Sequence, residues 1–275
     1  HVYCEKPLAH SVHEARVMRE TYAKAKVATQ MGTQIHATEN YRRVVELVQS
    51  GAIGPVREAH VWCSRSIKPI GAPVLERVSP PDWFHWDEWQ GPAPDRYHNQ
   101  GYWKGGNLNW NRRWDYGNGV LGDMDSHLID LPWWALELHT PLTVEAHGPT
   151  KADPVACPPW MRVTWEHAAR KGRAALEVPV KVVWYHGGRS KRDRPDIETG
   201  MDLGKWFNGI LFVGDKGMLL ADYGKRILLP KEKFASHQAP KPWIAKSAGH
   251  HREWIHAAKT GAPTLCNFEY SGSLI

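Results

Sequence analysis

The hydrophobic pattern of the chain begins with a strand, a helix and a second strand. Residues 2–4 (VYC) form a short apolar run that is typical of a buried strand. Ser11 and Glu14 then match a capping box, which predicts that a helix begins there, and apolar residues follow at helical spacing. The run at 27–31 (VATQM) predicts the second strand. These segments together indicate one βαβ unit, in which the two strands are parallel.

The segments that follow indicate a change of architecture. A helix is predicted over 39–49, with valines on its buried side and Gly51 after its end. From Val56 to Ser64 the pattern becomes that of extended chain, and a second domain is expected to begin near this point. Further strands and one helix are predicted over 142–148, 175–188, 209–222 (a hairpin that turns at 215–217) and 251–260. The larger part of the chain is therefore predicted to be α+β with a mostly antiparallel sheet.

A long segment between these parts has little periodicity. Residues 66–118 are rich in Pro, Gly, Asn and Trp, and eight of the fifteen tryptophans lie between Trp83 and Trp134. A loop of this length within a compact domain is uncommon and is usually functional. The tryptophans could form the loop's own small core, or they could offer flat faces to the C–H side of a sugar ring.

Composition narrows the class of protein. No apolar run approaches the ~20 residues of a membrane-spanning helix, and four cysteines that lie far apart suggest separate thiols rather than a disulfide or zinc framework. The formal charge of +6 is concentrated partly in the clusters 170–173 and 190–194, which are interpreted as solvated loops. The histidines of HHREWIH (250–256) do not match a zinc motif. We therefore expect no metal, no nucleic acid and no membrane among the partners.

Glu5, Lys6 and Pro7 stand where the first strand ends. Pro7 disfavours a helical conformation for Lys6, so its ammonium group is expected to continue the line of the strand. In an open parallel sheet, ligands bind at the carboxyl ends of the strands. This stretch is either a solvated charge pair at a turn or a lysine held over a substrate.

A second group of polar residues follows a glycine-rich stretch. Residues 117–122 read GNGVLG, but a dinucleotide fingerprint must follow a buried strand, and the preceding NRRWDY is not one. We interpret the glycines as unrelated to nucleotide binding. Asp123, His127 and Asp130 are then predicted to lie on one face of a helix. In this segment alone they could be a capping Asp123 and a core histidine, or a carboxylate that orients a catalytic imidazole.

The stretches VYCEKPLA (2–9) and GNGVLGDMDSHLID (117–130), with the strand-rich second half, resemble the glucose–fructose oxidoreductase and inositol dehydrogenase family (Gfo/Idh/MocA). The resemblance covers nearly the whole chain, and WDEWQGPAP with WNRRWDYGNG is similar to one bacterial branch of the family. It implies an α/β plus α+β fold: residues 1–50 would be the C-terminal end of a Rossmann-type parallel sheet, and 51–275 an α/β substrate and oligomerisation domain with a large, mostly antiparallel open sheet.

The resemblance also implies the activity. The chain is expected to belong to an NAD(P)-dependent oxidoreductase that transfers a hydride between NAD or NADP and a secondary alcohol of a sugar, polyol or sugar derivative. His127 would be the general base, Asp123 its partner or an acceptor for a substrate hydroxyl, and Lys6 the cation that stabilises the developing alkoxide. Two functions remain as alternatives: a redox-assisted, NAD-dependent glycosidase and a non-catalytic sugar-binding protein.

The binding residues implied by the resemblance form two overlapping sets. The cofactor set contains Glu5, Lys6, Pro7 and Gln34, although an arginine often found beside the last position is Ile35 here. The substrate set contains Lys6, Gln34, Trp110, Arg112, Arg113, Asp123 and His127.

Three further expectations concern the whole protein. Because the chain begins inside a predicted strand and ends at SGSLI, we expect a fragment whose companion strands and glycine-rich nucleotide loop lie upstream, and which alone binds dinucleotide poorly. A homo-oligomer, dimer or tetramer, is expected to form through the C-terminal sheet. The compartment is cytoplasmic by default, or extracytoplasmic if an upstream segment carries an export signal.

Overall fold

The computed structural model describes residues 1–65, 76–104, 107–151, 153–171, 176–187 and 194–275. The predicted loop 66–118, the predicted strand 175–188 and the two basic clusters lie partly outside these ranges. Where the described residues reach the clusters, the arginines serve the fold. Arg170 Nε donates to the carbonyl of Leu136 at 2.8 Å, and Arg194 Nη1 donates to the carbonyl of Leu203 at 2.8 Å.

The chain starts with the expected βαβ unit. Strand β1 (Val2–Cys4) and strand β2 (Thr29–Met31) pair in parallel, with Val2 opposite Thr29. Helix α1 (Val12–Ala25) connects them and begins with a complete capping box, in which the Ser11 side chain accepts from Glu14 N and the Glu14 side chain accepts from Ser11 N. Local sequence is therefore sufficient to define the start of this helix.

Helix α2 (Glu39–Gln49) is the most strongly amphipathic of the early elements. Val44, Val45 and Val48 are fully buried, and full burial of a valine side chain contributes roughly 1.5–3 kcal/mol. The chain leaves the helix through Gly51, whose φ of 76° is strained for any residue with a Cβ. These residues belong to the main core, which also contains residues of the large sheet.

That sheet has seven strands within the described residues. Its order is β4-β5-β6-β3-β7-β8-β9, and all neighbours are antiparallel except β3 and β6. The strands are β3 (Val56–Cys63), β4 (Thr143–His147), β5 (Met161–His167), β6 (Val180–His186), β7 (Asn208–Gly214), β8 (Gly217–Ala221) and β9 (Arg226–Leu229). Sequence patterns did not predict β5 and β9.

The two faces of the sheet are both covered, and β3 shows how. Ala59 and Val61 point to the helical side, where they join the main core. Trp62 points to the opposite face into a smaller apolar cluster with Leu211 and Leu220, and its Nε1 donates to the carbonyl of Trp206 at 2.9 Å. The period-2 alternation of a strand therefore divides one element between two cores.

Helices cover the main core and carry the residues of interest. They are α6 (Gly119–Leu128), α7 (Asp130–Ala135), α8 (His250–Thr260) and α9 (Phe268–Leu274). The tryptophan-rich segment contains three short helices: α3 (Trp86–Gln90), α4 (Gln100–Trp103) and α5 (Asn107–Trp110). Its aromatic rings pack on one another, for example Trp86 on Trp89 with centroids 5.1 Å apart. The predicted fold class is confirmed, whereas the domain division at residue 50 stays a prediction.

Candidate active site

Lys6 and Asp123 meet although 117 residues separate them in the chain. Lys6 follows the end of β1, and its Nζ lies 2.5 Å from Asp123 Oδ1 and also donates to the Asp123 backbone carbonyl. The lysine side chain is 15% exposed and the carboxylate 5%. Low exposure strengthens the attraction between the two charges, because little water remains to screen it. The ammonium group is therefore held in one place at the exit of the parallel strands.

The other carboxylate oxygen of Asp123 binds a cation that sequence patterns did not reveal. Arg65 Nη1 contacts Asp123 Oδ2. Arg65 follows β3, two residues after Cys63, so a basic residue at the end of a buried strand was the available signal. Asp123 thus joins the end of β1 to the end of β3. Two cations and one carboxylate leave the cluster with net positive charge.

His127 lies one turn further along α6. Its ring Nδ1 is buried and has no hydrogen-bond partner within the described ranges, while Tyr41 Oη donates to its backbone carbonyl at 2.7 Å. Burial, with a contribution from the Lys6 charge, lowers the pKa of His127 from its ordinary 6.5 to about 4. The imidazole is therefore neutral near pH 7.

The predicted alignment of Asp130 with Asp123 and His127 is wrong. Helix α6 ends at Leu128, because Pro132 lacks the N–H that would bond the Leu128 carbonyl. Asp130 begins α7 instead and is fully buried. Its carboxylate binds His36 Nδ1 at 3.0 Å and accepts the Tyr270 hydroxyl at 2.7 Å. Asp130 thus connects the segment after β2 to α9.

Two further polar groups approach the cluster. Asp125 accepts from the backbone N of Ser126 at 2.5 Å, and burial of its carboxyl group raises its pKa from 3.8 to about 8. Tyr223, in the turn between β8 and β9, has its ring centroid 6.5 Å from that of His127. Burial raises the pKa of the Tyr223 hydroxyl, which therefore stays protonated. Neither residue was a candidate from the sequence.

A cavity opens beside Lys6 and Asp123. This inner cavity has a volume of about 460 Å³ and lies between the segment after β1 and the start of α6. Pro7, Trp110 and Asn111 also line it. Its size suits a small organic ligand.

The cofactor candidates lie at the rim of the parallel strands. Glu5 and Gln34 are exposed there, after β1 and β2. Buried Gly32 stands directly against Glu5, where a Cβ atom would collide with the carboxylate. The backbone of β2 therefore approaches Glu5 as closely as glycine permits. An extended ligand could contact both exposed side chains across this rim.

The three substrate candidates of the loop separate in the structure. Trp110 lines the inner cavity. Arg113 is 4% exposed, and its guanidinium lies 5.0 Å from the centre of the Tyr102 ring. Arg112 is half-buried, and burial beside Arg113 lowers its pKa. Neither arginine lines the inner cavity. Their proposed contact with substrate has no support in this arrangement.

The glycine-rich stretch passes close to neighbouring segments of the chain. A Cβ at Gly117 would lie 2.6 Å from the Asn111 Cα. Gly119 has a φ of 69°, and a Cβ there would lie 2.8 Å from the Cys157 Cβ. Both glycines allow the loop to cross close to neighbouring chain.

The described residues lack a metal-binding cluster and a membrane-spanning helix. They contain no group of three or more His, Cys, Asp and Glu side chains arranged to hold a metal ion, and His250 instead bonds the Met31 carbonyl through Nε2 at 3.0 Å. Among the same residues, no helix has the length and apolar character needed to cross a bilayer.

Comparison with known proteins shows which protein family part of the chain matches. Residues 40–174 match the family described as "Oxidoreductase family, C-terminal alpha/beta domain". That segment belongs to the Gfo/Idh/MocA family, and the resemblance expected from the sequence is confirmed. No curated protein matches the chain significantly.

Several solved structures share the fold. An oxidoreductase from Thermotoga maritima has a TM-score of 0.58 and 13% identity, with coverage of 100% of this chain and 66% of that one. The WlbA dehydrogenase from Bordetella pertussis, in complex with NADH and UDP-GlcNAcA, has a TM-score of 0.57 and 13% identity, with the same coverage of both chains. The aldose-aldose oxidoreductase from Caulobacter crescentus, complexed with glycerol, has a TM-score of 0.53 and 16% identity, with coverage of 100% of this chain and 67% of that one. This chain spans about two thirds of the length of these structures, and the likeness establishes the fold.

Proposed function

We propose that this chain is the substrate-handling part of an NAD(P)-dependent oxidoreductase that oxidises or reduces a secondary alcohol of a sugar, polyol or sugar derivative. The ion pair of Lys6 with Asp123 at the inner cavity, with His127 one helical turn from Asp123, carries this proposal. The match of residues 40–174 to an oxidoreductase family supports it, as do similar folds named as complexes with NADH or NAD.

The rim of the parallel strands fits one end of a nicotinamide cofactor. Glu5, Lys6, Pro7 and Gln34 would hold that end, beside the close approach of Gly32 to Glu5. NAD or NADP, when bound, accepts or donates the hydride. A glycine-rich pyrophosphate loop does not occur among the described residues, and a longer form of the protein would supply it, since this chain covers 66% of the solved structures of this fold that are complexed with NADH or NAD.

The protein residues then handle the proton and the charge. Oxidation of an alcohol releases a proton from the hydroxyl oxygen, and the neutral imidazole of His127 is able to take it. Lys6 stabilises the alkoxide that develops on the same oxygen. Asp123 acts on both of its cationic partners, because it binds Lys6 through one oxygen and Arg65 through the other. It is therefore a positioning residue for Lys6, and this replaces its expected role as the partner of His127.

A turnover assay tests the proposal. The longer protein, with its upstream segment, is mixed with NAD⁺ or NADP⁺ and with a panel of aldoses, polyols and sugar acids, and formation of reduced nicotinamide is followed. We expect turnover with at least one compound and a loss of roughly 10²–10⁴-fold in His127→Ala. Absence of turnover across the panel with both nucleotides, or normal turnover in His127→Ala, would contradict the proposal.

Association through the sheet is part of the same proposal. All of β4 is exposed at the edge of the sheet, with Val144 59% and the preceding Leu142 71% exposed. Exposed apolar residues on an edge strand favour pairing with a second copy. Light scattering should therefore report a dimer or tetramer that Val144→Lys weakens, and a monomer at all concentrations would contradict this.

A further inference from the structure

The inner cavity continues into a second, larger one. This outer cavity has a volume of about 630 Å³ and lies between the start of α1 and the tryptophan-rich segment. Five residues line both cavities: His10, Glu14, Pro92, Trp110 and Tyr116. The two cavities therefore form one groove, with Lys6 and Asp123 at its inner end.

Aromatic rings held by their neighbours line the outer cavity. The Trp89 ring is stacked on Trp86 at 5.1 Å, with an angle of 15° between the planes, and lies 5.0 Å from the Tyr116 ring. Trp114 Nε1 donates to the Asp153 carbonyl at 3.2 Å, while 38% of the residue remains exposed. These rings are therefore fixed before any ligand binds, which reduces the entropy lost on binding.

Two buried polar atoms along the groove have no partner within the described ranges. They are Asn111 Oδ1, in a residue only 4% exposed on the inner cavity, and the Tyr116 hydroxyl, in a residue shared by both cavities. A buried polar group without a hydrogen bond is unfavourable. Both atoms are inaccessible to solvent, so they mark polar groups in the wall of the groove rather than contacts that a ligand makes directly.

The charges on the outer cavity select among hydroxylated ligands. Its lining carries the carboxylates of Glu14 and Asp115. Asp115 forms an ion pair with Arg96 at 2.9 Å. The Glu14 carboxylate accepts the backbone N–H groups of His10 and Ser11, at 2.8 and 2.9 Å. Negative charge disfavours a phosphate or diphosphate, so a neutral ring fits better than a nucleotide.

We propose that the outer cavity is a second sugar subsite and that the substrate is a two-ring carbohydrate, a disaccharide or a similar glycoside. The reacting ring lies in the inner cavity beside Lys6. The second ring lies against Trp89 and Trp114. The position of the reacting ring rests on the proposed function, whereas the second subsite rests on the groove itself.

Titration calorimetry on the chain tests the subsite without requiring turnover. The probes are glucose, galactose and mannose, each compared with disaccharides that contain it, and UDP-glucose as the charged comparison. We expect at least one disaccharide to bind roughly tenfold more tightly than its monosaccharide, a gain typical of one well-packed aromatic contact. Trp114→Ala and Trp89→Ala should each remove most of this gain and leave monosaccharide binding unchanged.

Trp160→Ala is the matched control, because Trp160 is also 38% exposed but lines neither cavity. It should retain the gain, and thermal unfolding of each variant verifies folding. The inference is overturned if no disaccharide exceeds its monosaccharide, if the gain survives both groove substitutions, or if UDP-glucose shows the larger gain. A chain that prefers disaccharides but supports no hydride transfer contradicts the proposed function alone, and turnover without a two-ring preference contradicts the subsite alone.

Discussion

Replacement of His127 by glutamine gives the most informative test of the site. In the folded protein burial holds the pKa of His127 near 4, whereas in the unfolded chain the ring titrates near 6.5. Between these values the unfolded state binds a proton that the folded state does not. The contribution of the neutral His127 ring to the free energy of unfolding is therefore complete above pH 6.5 and is lost as the pH falls towards 4.

The magnitude follows from the interval between the two pKa values. A single group of this kind changes the free energy of unfolding by up to about 1.4 kcal/mol per pH unit, so the interval corresponds to at most roughly 3 kcal/mol. Glutamine does not titrate. Urea unfolding of His127→Gln at pH about 7, 6 and 5 should therefore show a shallower loss of stability than the unsubstituted chain, by about that slope.

His167 supplies the matched control. It is 4% exposed in β5, and burial lowers its pKa to about 4 as well, but the charges that act on it are those of Arg170 and His139 rather than Lys6 and Asp123. His167→Gln should flatten the pH dependence of stability to a similar extent and leave turnover intact, while His127→Gln should lose roughly 10²–10⁴-fold in turnover. If His127→Gln retains the full pH dependence while His167→Gln loses it, the His127 ring is not buried in its neutral form, and its assignment as a base fails.

Three other substitutions probe its neighbours. Lys6→Met should lower turnover at least as much as loss of the base, with no recovery at high pH, because it removes a fixed charge; near-normal steady-state rates would refute the alkoxide role. Asp123→Asn should lower the free energy of unfolding, approaching the roughly 3–5 kcal/mol of a broken buried ion pair, because Lys6 and Arg65 lose their shared anion; a loss below about 1 kcal/mol in urea unfolding would argue against that linkage. Asp125→Asn should stabilise the protein more at pH about 8 than at pH about 5. The folded protein with a carboxyl group of pKa about 8 loses stability as the pH rises above 3.8, the ordinary pKa of that group, and asparagine removes this loss. Melting temperatures that respond equally to pH in both proteins would contradict this.

From its sequence alone, the chain defined the elements whose signals are local. The capping box of Ser11 and Glu14 gave the start of α1, and the buried valines with Gly51 gave α2 and its end. Strand β5 was missed although Met161, Val163 and Trp165 alternate with polar residues, so the local signal for this strand was present in the sequence. Lys6 and His127 were identified mainly through resemblance to a family, since the spacing within each segment also allowed a solvated lysine and a core histidine.

Only the tertiary structure decided which groups meet. The helical spacing of Asp123 and His127 is local information, but both oxygens of Asp123 bind cations that arrive from distant strand ends, Lys6 and Arg65. Asp130 leaves the same helix because of a proline and binds His36 instead. A one-dimensional pattern specifies on which face of a helix a residue lies, whereas the long-range packing of strands and helices determines what occupies the space opposite that face. The partners of each charged group, and the groove that leads from Lys6 to Trp114, follow from that packing.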